Sequence, residues 1–334
     1  MPFNLYQKLA AAALVSVLFL LFVGATVRVT GAGMGCPDWP TCWGLLIPPT
    51  HVDQVDFDKL PIERFQQKAA KMGRDPSTIT RESLRQEFNP RHVWTEFVNR
   101  LCSLPVGFFT LATFIASYRQ LRTRPKIFWL SFTALLLVLA NALMGARVVD
   151  SGIAPVVLTT HLALAMALIC VLTYCTWAGT EKPFKFNIAT SPRLPRALLT
   201  TLLLITIFEG ILGSQIREMT DQLAKSHLNI PRENWIGQLE SSYIYLIHRS
   251  FSWAILIVAA WAFYLAKKHQ PSGTTPSQKG TLAIVLSQMI LGVIMAQVHI
   301  YSWVQVLHVG LAGILLALVF RWLLTIPRPA PFQA

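Results

Sequence analysis

The sequence predicts an all-α integral membrane protein with eight transmembrane helices, arranged as two four-helix bundles related by a pseudo-two-fold axis. Composition is the first reason: the 334 residues are 53% hydrophobic and only 13% charged, with a mean hydropathy of +0.48. Such values are typical of chains that cross a bilayer several times, and they exclude an ordinary soluble domain. Eight long apolar segments are the second reason, and landmarks repeated in both halves of the chain are the third.

A transmembrane helix needs about 20 predominantly apolar residues, and eight segments approach or exceed this length. We number them span 1 to span 8, with predicted bounds Leu9–Val27, Val93–Ser117, Ile127–Gly145, Pro155–Trp177, Ala197–Ile216, Ser242–Leu265, Thr281–Ala296 and Trp303–Leu324. Span 1 could be mistaken for a cleaved signal peptide. Its apolar run is too long for that and continues to Arg28, so we expect a retained helix.

The short connections that follow the even-numbered spans concentrate the basic residues. They carry Arg119, Arg122, Arg124, Lys126, Lys182, Lys185, Arg193, Arg196, Lys267, Lys268 and Lys279 against the acid Glu181. The positive-inside rule therefore predicts cytoplasmic termini and an outward position for the long loop 30–92. This distribution accounts for the net charge of +13 without a nucleic-acid partner. We expect a multi-pass protein of the inner (plasma) membrane.

Matched landmarks divide the chain into an N-terminal half, residues 1–180, and a C-terminal half, residues 181–334. The pairs, first-half member first, are Arg28 and Arg217, Asn99 and His248, Arg100 and Arg249, Gly145 and Gly292, and His161 and His308. Several landmarks in register over four spans indicate an internal duplication. Because each repeat has an even number of spans, the repeats are parallel and their axis runs along the membrane normal.

His248 and His308 form the strongest candidate site. Each lies five or six residues inside a span that enters from the outside, so both imidazoles lie roughly 8–9 Å below the outer helix ends. An imidazole without a partner is costly in hydrocarbon, and helix bundles build cofactor sites from side chains on facing helices. We predict a six-coordinate haem iron held by both histidines, a geometry suited to electron transfer. The alternative is two histidines hydrogen-bonded to neighbouring helices.

The first half has a second candidate site at the same outer depth, formed by Asn99 and His161. Glu96 lies one helical turn before Asn99 and on the same face. The matching position of the second half is Tyr245, so a carboxyl group in one half only marks that half as the reactive one. The alternative is an interfacial Glu96 that pairs with a neighbouring arginine, either Arg100 or Arg91.

Arginines lie where spans 1 and 5 leave the membrane on the outer side. Arg28 and Arg217 are placed to contact haem propionates, with Arg100 and Arg249 as neighbours. A guanidinium offers a planar fork that matches a carboxylate. The alternative is ordinary interfacial snorkelling of a long basic side chain.

Cys36 and Cys42 lie in the long outer loop, just beyond span 1. An oxidising compartment would permit a disulfide between them. Because so short a loop gains little from the loss of chain entropy, a redox or shaping role competes with simple stapling.

With these motifs in place, the chain resembles the heme A synthase family over essentially its whole length. The stretch Cys36–Pro40 is the most specific of the motifs. The full set comprises Gly31–Pro40, Glu96–Arg100, Ser151–Pro155, His161-Leu162, Arg217-Glu218, Arg232–Trp235, His248-Arg249 and His308.

The resemblance implies an oxidoreductase that converts a ring methyl of haem O to the formyl group of haem A, with water as the oxygen source, for terminal oxidase biogenesis. It implies haem b as cofactor, haem O as substrate, and a role for the cysteine pair in moving electrons or haem. Expected partners are a heme O synthase that hands over haem O, an electron donor or acceptor, the lipid bilayer and a second copy of the chain. The implied roles are Glu96 as catalytic group; His248, His308, Arg217 and Arg249 for haem b; His161, Asn99, Arg28 and Arg100 for the substrate haem; and Cys36 with Cys42 as a disulfide.

Two departures from the family and two rival functions qualify this interpretation. The family usually has a histidine where this chain has Asn99, which leaves His161 to ligate the substrate iron on one side; an open iron position is associated with activation rather than electron transfer. A second cysteine pair, present in the fifth loop of some members, is absent here. A non-catalytic membrane cytochrome b would use the same histidines without needing Glu96. A haem or metal transporter would favour a site at the midplane.

Overall fold

The structure is a computed structural model that describes residues 3–71, 75–227, 230 and 234–328. Eight helices in this part of the chain are long and apolar enough to cross a membrane, which confirms the all-α class and the number of spans. Spans 1 to 8 run over Leu5–Val29, Pro90–Gln120, Pro125–Asp150, Pro155–Ala178, Arg193–Leu223, Tyr243–His269, Pro276–Val298 and Ser302–Thr325. The motif Arg232–Trp235 begins outside the described residues.

Local sequence fixes where several spans begin. The side chain of Asn4 accepts a hydrogen bond from the backbone of Gln7 at the start of span 1, and Thr275 does the same for Gln278 at the start of span 7. Such caps satisfy backbone N–H groups that have no partner within the helix. Spans 2, 3, 4 and 7 start with proline in the first turn, where its missing N–H costs nothing.

Span 2 differs from the continuous helix that the apolar pattern predicts. It consists of helices Pro90–Cys102 and Leu104–Ser117, followed by a 3₁₀ turn at Tyr118–Gln120. Pro105 has no N–H to donate to the preceding turn, so the hydrogen-bond ladder is interrupted beside Ser103. The break makes Pro90–Cys102 a separate outer segment, and this segment carries Glu96, Asn99 and Arg100.

Two other spans extend or change their geometry beyond the predicted bounds. The helix of span 5 continues past Ile216 to Ser226, which carries Glu218 and Asp221 beyond the apolar segment. Span 7 is α-helical over Pro276–Val293 and ends in a π-helical turn at Ile294–Val298.

The packing of the spans follows the two halves of the chain. Spans 1, 2, 3 and 4 close a ring in which each contacts the next, and spans 5, 6, 7 and 8 close a second ring. The rings meet where span 1 contacts span 8, span 4 contacts span 5, and span 4 contacts span 8. If spans 1 to 4 are exchanged with spans 5 to 8 in order, the same three contacts result. This is consistent with a pseudo-two-fold axis. The axis and the division after residue 180 stay predictions.

Small residues let the two rings approach closely. A Cβ placed on Gly310 of span 8 would lie 2.2 Å from a ring carbon of Phe22 in span 1, and one on Gly313 would lie 2.3 Å from Leu21. Glycine at a helix interface permits backbone contacts that lipid-exposed helices otherwise lack. The span 1 to span 8 interface therefore depends on these positions.

The loop 30–92 folds into a small packed unit, which we call the outer unit because the positive-inside rule predicts that it faces outward. It contains helices Ile62–Lys71 and Arg81–Glu87, which the apolar pattern did not predict. Its apolar core packs against Val93 of span 2 and consists of Cys36, Cys42, Trp43, Val55, Leu60, Phe65, Ala69, Ile79 and Leu84. An ion pair of 2.8 Å between Arg64 and Asp150 ties this outer unit to the end of span 3.

Candidate functional site

Spans 6 and 8 lie diagonally across the second ring, and they bring His248 and His308 together. The centroids of the two imidazole rings are 6.4 Å apart, and the ring planes make an angle of 71°. Two imidazoles on opposite sides of one metal ion, with metal–nitrogen bonds of about 2.0 Å, have centroids roughly 6.3 Å apart. The separation therefore fits an iron held between the two rings.

Several buried polar atoms of the second half have no hydrogen-bond partner among the described residues. They include Nδ1 of His308, Oε1 of Glu209, Gln288 and Gln305, and Nε of Arg217. Buried polar atoms in folded proteins are nearly always paired. A haem propionate would supply the missing partner of Nε of Arg217, since a carboxylate accepts hydrogen bonds from a guanidinium.

The first half repeats the diagonal arrangement with different chemistry. Asn99 and His161 lie on spans 2 and 4, which are diagonal in the first ring. Asn99 packs toward span 1, since a Cβ placed on Gly24 would lie 3.9 Å from its Oδ1. His161 packs toward span 3, since a Cβ placed on Gly145 would lie 3.7 Å from its Cε1. The two predicted residues thus belong to one bundle, and ligation by His161 stays a prediction.

Glu96 is buried in the outer segment of span 2, with 4% of its surface exposed. Its Oε2 accepts a hydrogen bond of 2.7 Å from the backbone N–H of Cys36. Its Oε1 accepts one of 2.7 Å from Nη2 of Arg100. The ion pair expected under the alternative interpretation is therefore present, and the two donors fix the direction of the carboxylate. The catalytic role of Glu96 stays a prediction.

The close approach of the outer unit to span 2 depends on Gly35. A Cβ at this position would lie 2.3 Å from the carbonyl oxygen of His92 and 2.7 Å from the nitrogen of Val93. Both are backbone atoms at the start of a helix, so they have little room to move. The absence of a side chain therefore allows the N–H of Cys36 to reach Glu96.

Cys36 and Cys42 form the predicted disulfide. Within the loop that it closes, Asp38 accepts hydrogen bonds from the Thr41 hydroxyl, from the N–H of Trp43 at 2.6 Å and from the N–H of Gly44 at 2.9 Å. The disulfide loop is thus shaped around one buried carboxylate.

Arg100 holds the disulfide loop against span 2. Its guanidinium donates to the carbonyl oxygens of Thr41 at 2.8 Å and of Asp38 at 3.0 Å, in addition to Glu96. These partners belong to the protein itself. A contact between Arg100 and a haem propionate stays a prediction.

The matched arginines Arg28 and Arg217 meet at the outer ends of spans 1 and 5. Arg28 lies 2.8 Å from Glu218 and 3.0 Å from Asp221, and Arg217 lies 2.9 Å from the other oxygen of Asp221. The carboxylates that they contact therefore come from the extended end of span 5. Arg249 is exposed beside His248. Propionate contacts by these arginines stay predictions.

Comparison with known proteins places these features in a family. The family model COX15-CtaA, described as cytochrome oxidase assembly protein, matches residues 7–320. The chain belongs to this family. Proteins named heme A synthase are similar to it: that of Bartonella tribocorum is 25% identical and covers 91% of this chain and 88% of its own length. The relative from Lysinibacillus sphaericus is 24% identical, with 98% and 97% covered, and that from Methylorubrum extorquens is 26% identical, with 88% and 79% covered. The resemblance stated from the motifs is confirmed.

In this COX15-CtaA protein, sequence reasoning overlooked Glu209. This residue lies within span 5 with 6% of its surface exposed, and its Oε2 is 2.6 Å from Nδ1 of His248. An ionisable residue inside a span is a functional candidate by default, so the signal was present in the sequence. The matched position of span 1 is Leu20, so comparison of the two halves did not draw attention to Glu209.

Two amide side chains were overlooked as well. The terminal amide of Asn141 lies 2.9 Å from the carbonyl oxygen and 3.2 Å from Nδ1 of His161, and Nε2 of Gln288 donates to the carbonyl oxygen of His308 at 2.8 Å. Asn141 and Gln288 are separated by the same sequence offset as the two histidines. Each half of this family member thus uses an amide from one span to hold the histidine-bearing turn of the next.

Proposed function

We propose that this chain is a haem A synthase, which oxidises a ring methyl of haem O to the formyl group of haem A for terminal oxidase biogenesis. Family membership and the names of the relatives support this proposal. The observation that carries it is the buried carboxylate of Glu96, which the second half replaces with Tyr245. A cytochrome b that only carries electrons has no need of such a group in one half.

In this proposal, His248 and His308 hold haem b in the second bundle, with Arg217 and Arg249 near its propionates. The separation of 6.4 Å between the two imidazole rings and the unpaired Nε of Arg217 support the assignment. Held by these two histidines, haem b would supply one-electron transfer.

Haem O occupies the first bundle, with His161 as its iron ligand and Asn99 on the diagonal helix. Asn99 lacks an imidazole, so the iron keeps an open side. Arg28 and Arg100 are the cationic groups assigned to this half. The substrate methyl lies toward Glu96 at the outer end of span 2.

Glu96 acts on the carbon that loses electrons. Water supplies the oxygen, and protons and electrons leave as the methyl group becomes a formyl group. A carboxylate stabilises positive charge that develops at the carbon, or accepts one of the departing protons. The hydrogen bonds from Cys36 and Arg100 hold the carboxylate in one orientation, so it needs little reorganisation during the reaction.

The remaining assignments concern partners and location. The protein is a multi-pass membrane protein, and we place it in the inner membrane with cytoplasmic termini because of its basic even-numbered connections. The oxidation requires an external electron acceptor. Delivery of haem O by a heme O synthase and pairing with a second copy of this chain belong to the same proposal.

The deciding experiment is pigment analysis. The chain is expressed with a heme O synthase in a host that lacks haem A, and the extracted haems are separated by chromatography with mass detection. Wild-type membranes are expected to contain haem A or its hydroxymethyl precursor. Haem B alone, with haem O untouched, would favour the electron-carrier alternative.

The matched variants are Glu96→Ala and Glu63→Ala. Glu96→Ala is expected to abolish haem A while haem b is retained, because it removes the carboxylate of the first half and leaves the second half unchanged. Glu63 is an exposed carboxyl of the same outer unit, and its variant should produce haem A at the wild-type level. Haem A in the Glu96→Ala membranes would contradict the catalytic role.

A further inference from the structure

The contact between Glu209 and His248 has no counterpart in the described part of the first half. Oε2 of Glu209 lies 2.6 Å from Nδ1 of His248. The carboxylate is buried, and its other oxygen has no hydrogen-bond partner among the described residues. Leu20 occupies the matched position of span 1, so a four-helix ring of this kind forms without an acid there.

Burial of a carboxylate inside a span is unfavourable unless a specific partner compensates for the lost hydration. The described partner of Glu209 is the imidazole of His248. Span 5 also approaches the imidazole of His248 one turn later, since a Cβ placed on Gly213 would lie 3.6 Å from Cε1 of this imidazole. Two successive turns of span 5 therefore define the position of this imidazole.

The two nitrogens of an imidazole point to different sides of the ring. The carboxylate of Glu209 lies on the Nδ1 side, 2.6 Å from this atom, so Nε2 of His248 is left available to a metal. His308 differs, because no carboxylate of the described residues forms such a contact with its imidazole, and Gln288 contacts its backbone carbonyl. The two candidate ligands are therefore electronically unequal.

We propose that Glu209 is a positioning residue for His248, which fixes the tautomer with Nε2 free and increases the electron donation of this ligand. The inference rests on the proposed function, because it assigns a role toward haem b. A carboxylate on the outer nitrogen of a ligating histidine makes the ligand more basic. A more basic axial ligand stabilises the ferric state, so Glu209 lowers the reduction potential of the haem.

The test compares purified wild-type protein with Glu209→Gln, which keeps the size of the side chain and removes its charge. We expect a positive shift of the haem b midpoint potential in spectroelectrochemical titration. We also expect a changed electron paramagnetic resonance signal of the ferric low-spin haem. The control is Glu181→Gln, which removes an exposed carboxylate from a connection in the same half. Its potential and spectrum should equal those of the wild type.

A second variant covers the case in which Glu209→Gln does not accumulate. Glu209→Asp is one methylene shorter, so it withdraws the carboxylate from Nδ1 but keeps a charge in the span, and it should shift the potential in the same direction by less. An accumulated Glu209 variant with wild-type potential and spectrum would overturn the inference, as would an equal shift in Glu181→Gln. Wild-type protein without haem b would instead overturn the proposed function.

Discussion

Buried carboxylates distinguish the two halves at the scale of single residues. Glu96 lies in span 2 of the first half and pairs with Arg100, whereas Glu209 lies in span 5 of the second half and contacts His248. A bilayer makes an unpaired charge costly, so each carboxylate needs its own partner. The halves share a backbone arrangement and differ in where negative charge is held.

Asn99 gives a prediction about the coordination of the substrate haem. In the proposed function, Asn99→His supplies a second imidazole and closes the open side of the iron. Turnover should fall, and the substrate haem should become six-coordinate and low-spin in optical and electron paramagnetic resonance spectra. A variant with raised turnover and an unchanged spin state would contradict the proposed open position.

Lys68 gives a prediction about pH. It is buried in the outer unit, where its Nζ donates to the carbonyl oxygen of Pro37 at 3.3 Å. Burial lowers the pKa of Lys68 from 10.5 to about 8, although the nearby acids Glu96, Asp150 and Asp38 oppose this shift. Between these two pKa values the unfolded unit binds more protons than the folded unit, so folding becomes more favourable as pH rises.

The measurement is protease resistance of the outer unit between pH 7 and pH 10.5, in wild type and in Lys68→Met. Wild-type resistance should rise relative to the variant as pH increases from about 8, because the cost of a buried ammonium disappears. The methionine variant removes this titrating group and keeps a similar volume. If protease resistance depended on pH in the same way in both proteins, the lowered pKa of buried Lys68 would be contradicted.

At the scale of elements, the outer segment of span 2 and the disulfide loop act as one piece. The break beside Pro105 separates this segment from the rest of the span, and Arg100 and Glu96 bind it to the loop. The position of the proposed catalytic carboxylate therefore depends on the loop as well as on its own helix.

Gly35→Ala tests this dependence. The added methyl group would collide with the backbone of His92, and overpacking of this kind costs about 1–3 kcal/mol. We expect faster proteolysis of the outer unit and loss of most haem A formation, with haem b retained. Gly237→Ala is the control, since a Cβ there meets nothing within 4 Å. A wild-type level of haem A in Gly35→Ala would show that activity does not depend on the position of the disulfide loop, and would contradict this prediction.

At the scale of the whole molecule, two rings of four spans share an interface built on spans 1, 4, 5 and 8. Each ring has its own candidate haem site on its diagonal spans. Arg28 and Arg217 bridge the halves through Asp221 at the outer side. The arrangement therefore places two candidate sites side by side in one molecule.

Orientation in the membrane can be tested with cysteines at exposed positions. Ser77→Cys lies in the outer unit, and Ser272→Cys lies in the connection between spans 6 and 7. A membrane-impermeant thiol reagent should label Ser77→Cys in intact cells and Ser272→Cys only after permeabilisation, because the positive-inside rule predicts cytoplasmic basic connections. The parent chain serves as the background control. The reverse labelling pattern would overturn the predicted orientation.

The fold class, the eight spans and the residues that share a depth follow from the amino-acid sequence alone. Apolar runs of membrane-spanning length have few alternatives to helix in a bilayer, and a fixed rise per residue converts position into depth. For this reason the sequence was sufficient to pair His248 with His308. The disulfide of Cys36 and Cys42 was also predictable, because both lie in one short outer segment.

Which side chains face one another across the spans depends instead on tertiary packing. Helical period assigns a residue to a face, but the neighbour of that face depends on how the rings pack. The contact of Glu209 with His248 and the hold of Arg100 on the disulfide loop therefore could not be read from the chain. The break in span 2 is similar, since proline in a membrane helix is tolerated or disruptive according to the partners that its surroundings supply.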